Sequence, residues 1–168
     1  MRLFGIVLIF AALAACGGGS GSTVQLLRTT DALQIRPIIH EDPLALQVMD
    51  EQENLYTVGD VYLNEFGVSR ISVEESNVME DEGEEPVYDL LLTLEDRERA
   101  KLADYFGRRG KREAVVILNG KYHGIITGND MNERGKLRLA AVASTEDDAN
   151  EISGTIMEAK NRRKSRED

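Results

Sequence analysis

Arg112-Glu113-Ala114-Val115-Val116-Ile117-Leu118-Asn119-Gly120-Lys121-Tyr122-His123-Gly124-Ile125-Ile126-Thr127 is the stretch whose reading decides the fold. An unbroken apolar run leads into Asn119-Gly120, the dipeptide best suited to the two positive φ angles of a type I′ turn. A second run follows at once. The spacing predicts a hairpin, with Arg112 to Leu118 as one strand and Tyr122 to Thr127 as its partner.

The neighbouring segments extend this pattern in both directions. Upstream, Val87 to Leu92 reads as a strand. Thr93 is expected to cap a helix whose Leu102, Ala103 and Phe106 share a face, with Glu95 and Arg99 on the other side and Gly107 or Gly110 as its end. Downstream, Leu137 to Val142 reads as a strand. Thr145 followed by Glu146-Asp147-Asp148 suits the start of a last helix, with Ala149, Ile152, Ile156 and Ala159 as its buried stripe. The first half holds shorter elements. Leu33, Ile35 and Ile38-Ile39 around Pro37 suggest a strand near an edge, and Leu44, Leu46 and Val48 a second. Asp60 can cap a short helical segment through Phe66, and Ile71 and Val73 alternate with Ser72 and Glu74. Strand, helix, strand, strand, strand, helix is the order of an α+β fold: a two-layer sandwich, mostly antiparallel sheet with helices on one face.

Composition narrows the function classes. The 168 residues carry 20 Lys and Arg against 30 Asp and Glu, a formal charge of -10, so nucleic acid is not an expected partner. One Cys and two His leave no material for a disulfide framework or a Cys-rich metal site. No cofactor or metal is expected.

The amino terminus has its own logic. Arg2 precedes an apolar run from Leu3 to Ala15, too short for the roughly 20 residues of a spanning helix but suited to a secretory signal. Leu13-Ala14-Ala15-Cys16 resembles the lipobox of bacterial lipoproteins, which implies cleavage between Ala15 and Cys16, acylation of the Cys16 thiol and anchoring to membrane lipid. More than one acyl chain is what stable anchoring requires. Gly17 after the Cys resembles an outer-membrane rather than an inner-membrane sorting signal. Gly17-Gly18-Gly19-Ser20-Gly21-Ser22 is then a flexible tether reaching on the order of 13 Å.

A second resemblance covers roughly residues 55–160. Val87 to Leu94, the following helix, Gly110-Lys111, Ala114 to Lys121 and the closing Leu139 to Ile152 are similar to the head subdomain of the first periplasmic region of SecD/SecDF protein-export proteins. That resemblance implies the same fold, a periplasmic location and contact with exported or unfolded polypeptide. It does not bring the family's proton-driven motor, which depends on transmembrane helices.

Other clusters invite chemical readings. Glu74, Glu75, Glu80, Asp81, Glu82, Glu84 and Glu85 put seven carboxylates in twelve residues, a weak cation site or a solvated loop between strands; no EF-hand spacing is present. His40 and His123 lack a Gly-x-Ser-x-Gly elbow. Gly128-Asn129-Asp130 reads as a turn. Lys160, Arg162, Arg163, Lys164 and Arg166 begin where the last helix is expected to end, complementing its negative pole or meeting anionic lipid.

Together these readings divide the chain into a signal peptide (1–15), a lipidated tether (16–23), N-terminal strands (24–54), a SecD-head-like domain (55–160) and a basic tail (161–168). The expected protein is no enzyme. It is an outer-membrane-favoured, periplasm-facing lipoprotein that binds unfolded polypeptide or an envelope protein complex through Asn119, Gly120, Lys121, Tyr122 and His123 and serves as an accessory to protein export. A carboxylate-dependent envelope hydrolase and a structural spacer are the alternatives.

Overall fold

The computed structural model describes residues 31–40, 42, 44–80, 83–107, 112–132 and 134–167. The expected signal peptide, Cys16 and the expected tether lie outside them. The fold is α+β, with mostly antiparallel strands and two helices. The strands are β1 (Leu33–Pro37), β2 (Leu46–Met49), β3 (Leu55–Val58), β4 (Leu63–Asn64), β5 (Val68–Glu80), β6 (Gly83–Leu94), β7 (Ala114–Leu118), β8 (Lys121–Ile126) and β9 (Lys136–Ala143). The helices are α1 (Asp96–Gly107) and α2 (Glu146–Glu167). Among the described residues, no helix is long and apolar enough to cross a membrane.

Where one sheet is expected, the strands form three: β4-β1-β7-β8, β5-β6-β9 and the hairpin β2-β3. The reason lies in β7, whose five residues are all buried. Ala114, Val116 and Leu118 share the main core with Leu33 and Ile35, while Val115 and Ile117 pack on the other face against Val48 and Val58 of the β2-β3 hairpin. An uninterrupted apolar strand needs cover on both sides. The first sheet therefore has β2-β3 on one face and the main core on the other. β1 is internal, flanked by β4 and β7, so Pro37 does not mark an edge strand there. β3 has no counterpart in the sequence reading, and it pairs with β2 across the expected boundary at residue 54. Leu44 is 94% exposed, outside β2.

Other local expectations need correction. Asn64, not Asp60, caps the 3-10 turn Glu65–Gly67, its side chain accepting from the Phe66 N–H. Thr93 lies within β6, opposite Arg70 and Lys136, and helical hydrogen bonding begins one turn later with Arg99 N–H to the Glu95 carbonyl. The buried face of α1 is Leu102 and Tyr105, with Ala103 exposed. Arg99 pairs with Asp96 rather than Glu95, which instead meets Lys160. Thr145 does accept from the Asp148 N–H at the start of α2, and Ala149 and Ile156 are fully buried.

Among the described residues, the acidic segment expected as a loop is strand. β5 and β6 form a long ribbon, with Glu74 opposite Asp89, Glu75 opposite Tyr88 and Val78 opposite Glu85. The third strand, β9, stops at the Tyr88–Ala143 pair, so the ribbon continues beyond the sheet with two strands only. From there α2 runs back along β5, and Lys160 reaches the carbonyl of Val68 at the strand's far end. The helix continues to Glu167, so the basic residues are a last helical segment and not a tail beyond it.

Candidate functional site

The Asn119-Gly120 turn forms as expected, with φ of 50° and 77°, both in the region that Gly and Asn occupy at least cost. The Asn119 N–H is satisfied by the carbonyl of Ala32 at 2.9 Å. β8 then runs back as the outer strand of its sheet. Register shifts by one residue between the Val116–Gly124 and Ile117–Tyr122 pairs, leaving His123 as the extra residue of a bulge. A bulge redirects a side chain, and here the ring of His123 turns towards β9, where Nε2 meets the Ala140 carbonyl at 3.1 Å. Because a carbonyl only accepts, Nε2 carries the proton. Burial pushes the imidazole below its ordinary pKa, with the bond to Ala140 opposing that shift, and the neutral ring keeps Nδ1 as an acceptor.

Tyr122 lies flat against Tyr56 of β3, with ring centroids 5.7 Å apart and planes within 6°. The Tyr56 hydroxyl donates to Asp50 Oδ2 at 3.0 Å. Asp50 also accepts from the Asn54 amide and from the main-chain N–H groups of Gln52 and Asn54, all within 2.9 Å. Those bonds, the Asn54 side chain first, hold the Asp50 carboxyl below its usual value. The same carboxylate keeps the proton on Tyr56, whose pKa is pushed up to about 12. Burial raises Tyr122 as well. Tyr122 and His123, with residues 50–52 and Ala141-Val142, line a cleft of about 460 Å³. With Nε2 of His123 committed to a main-chain carbonyl, Nδ1 is the ring atom left to accept a hydrogen bond.

An ion pair between a buried carboxylate and a half-exposed guanidinium holds the opposite wall. Asp89 is almost wholly buried, and its carboxylate takes Arg138 Nε at 2.6 Å and the Ala141 N–H at 2.7 Å. Ala141 has φ of 49°, unusual for a residue with a side chain, and coincides with a register shift between β6 and β9. The Asp89 carboxylate thereby fixes the bulge that presents the Ala140 carbonyl to His123.

A second concavity of about 590 Å³ lies between α1 and the connection from β8 to β9. Phe106, Met131 and Ala103 form its apolar part, and Arg99, Arg134 and Asn132 its polar part. Thr127 and Asp130 close a reciprocal capping box around Gly128-Asn129-Asp130, so that segment is a turn as expected and also one wall of this groove.

The remaining candidates are scattered. Cys16 and Ala15 lie outside the described residues. Lys121 is exposed beside the turn, and His40 is exposed far along the chain from the cleft. Glu74, Glu75 and Glu85 are exposed along the ribbon. Among the described residues no three His, Cys, Asp or Glu side chains converge on one point. Asp50, Tyr56 and Asp89 are absent from the sequence reading. Asp89 leaves a trace there, a single acid inside an apolar strand with Arg138 in a strand that could pair with it. No protein-family model matches the chain, and no curated protein matches its sequence.

Proposed function

We propose that this protein is a lipid-anchored, periplasm-facing interaction module without catalytic activity. It is held to the membrane, with the outer membrane favoured, through Cys16. Its two-layer α+β domain is akin to the SecDF head and engages unfolded polypeptide or an envelope protein complex as an accessory to export. The order β6, α1, β7, β8, β9, α2 supports the likeness to that head.

The observation that carries the binding role is β8. It is an outer strand paired only with β7 among the described residues, and the polar cleft of Tyr122 and His123 opens beside it. An outer strand offers main-chain donors and acceptors to an extended polypeptide, and an adjoining cleft can select side chains.

Photo-crosslinking in cells tests this reading. A photoreactive residue at Lys121 or Gly124 is expected to capture exported polypeptide or an envelope protein, and one at Leu44 is not. Absence of capture from both positions, with no binding of unfolded peptide at millimolar concentration, would overturn it.

A further inference from the structure

The groove between α1 and the β8–β9 connection is a built feature. Gly135 has φ of 71°, and a Cβ there would overlap the Arg99 side chain, which lies across it. A Cβ at Gly128 would sit 3.3 Å from Cβ of Phe106. The two glycines thus let the connection close on the helix while leaving about 590 Å³ between them, within the range of pockets that hold small ligands.

The polar side chains lining it can only donate. Arg99 and Arg134 are guanidiniums, and one terminal nitrogen of Arg99 is already 2.8 Å from the Asp96 carboxylate. Asn132 Oδ1 is already taken by the N–H groups of Arg134 and Lys136, both at 3.0 Å, which leaves the Nδ2 amide as its free function. Arg134 has no carboxylate partner among the described residues. The donors gather around Gly135, whereas Phe106 lies two helical turns from Arg99, about 10 Å along the axis. The groove is therefore cationic at one end and apolar at the other.

The geometry points to a polypeptide carboxyl terminus as the occupant, with its α-carboxylate on Arg134 and Arg99 and an apolar side chain, one or two residues earlier, on Phe106 and Met131. The chain's net charge of -10 repels an acidic segment with several charges, while a chain end brings a single carboxylate to match the one uncompensated charge of Arg134, with the remaining N–H groups of the Asp96-paired Arg99 beside it. A fatty acid has no use for the Asn132 amide or the open glycine backbone. This inference rests on the reading of the protein as a polypeptide-binding module, but it uses a different surface from β8.

Fluorescence anisotropy with the full chain in detergent tests it. The probe is a labelled hexapeptide ending in Leu-Phe with a free carboxylate, set against the same peptide amidated. The free acid is expected to bind about tenfold or more tightly than the amide, the scale of one charge-assisted hydrogen bond. Arg134→Gln, an exposed position, should remove that preference without altering the circular dichroism spectrum. Equal affinity for acid and amide, an unchanged preference in Arg134→Gln, or binding of laurate with none of either peptide would each overturn the proposal. Crosslinking from Lys121 that persists in the face of such a result would leave the β8 reading standing and remove only the groove.

Discussion

His123 of β8 donates from Nε2 to the carbonyl oxygen of Ala140 in β9 at 3.1 Å, a bond that ties the outer strand of the four-stranded sheet to the three-stranded one. Both partners sit at bulges, and each bulge makes the other's geometry usable.

That bond carries a pH dependence. Burial holds the folded-state pKa of His123 below the unfolded value of about 6.5. The unfolded chain then takes up the proton first, so stability is full above the unfolded value, begins to fall as pH drops past it, and has lost this contribution once pH is below the folded value. Urea unfolding at pH 7.5 and pH 5 should show a lower midpoint at the acid value. His123→Gln should show a smaller difference between the two.

Asp89→Ala removes the acceptor for both Arg138 and the Ala141 N–H. Half of Arg138 remains in solvent, so the cost is that of hydrogen bonds to a charged group, about 2–3 kcal/mol, rather than that of a fully buried ion left alone. Equilibrium unfolding measures it. The Ala140 carbonyl should also lose its aim, and because its bond to His123 opposes the effect of burial, an imidazole NMR titration of His123 in the variant should move further below the ordinary value.

Two glycines should respond in opposite directions to the same substitution. Gly135→Ala puts a side chain at positive φ and against Arg99, and should cost about 1–2 kcal/mol or more. Gly154→Ala lies in exposed helix with open space at Cβ, and should add about 0.5–1 kcal/mol. Thermal melts of the two variants with the parent check the sign of each.

Cys16→Ser leaves a hydroxyl that the lipobox chemistry does not acylate. The variant is expected in the soluble periplasmic fraction or retained with an uncleaved signal, and metabolic labelling with palmitate should be lost. Labelled, membrane-bound Cys16→Ser protein would contradict the anchoring proposal.

The second half of the fold was legible because its signals are local. Asn119-Gly120 needs only its own dihedrals, and the stripe Ala149, Ile152, Ile156 and Ala159 needs only the helical period. The first half was less legible because its elements are defined by distant partners. β4 is two residues that become a strand by pairing with Gln34 and Ile35, and β1 is internal only because β7 arrives 80 residues later. The same holds for the cleft. Tyr122 and His123 were singled out from the hairpin, but Tyr56 and Asp50 join them through β2 and β3, and no spacing in the sequence announces that stacking. The acidic run misled through its charge, which suggests solvated coil, whereas cross-strand pairing places carboxylates on the exposed edges of a ribbon.

The return of α2 along β5 has an electrical consequence. The ribbon's acids and Glu146-Asp147-Asp148 gather at one end, and the helical segment from Lys160 to Arg166 lies at the other, where Lys160 touches Val68. Strand rise puts Glu74 about 20 Å and Glu80 about 40 Å from Val68, and helix rise puts Glu146 about 20 Å from Lys160. Opposite charge separated along one strand and one helix is a permanent dipole, superposed on the net negative charge. Beside an anionic surface it exerts a torque that turns the basic helix end inward and the ribbon outward. Under the proposed anchoring, a tether limits distance and leaves direction free, and the dipole supplies the direction.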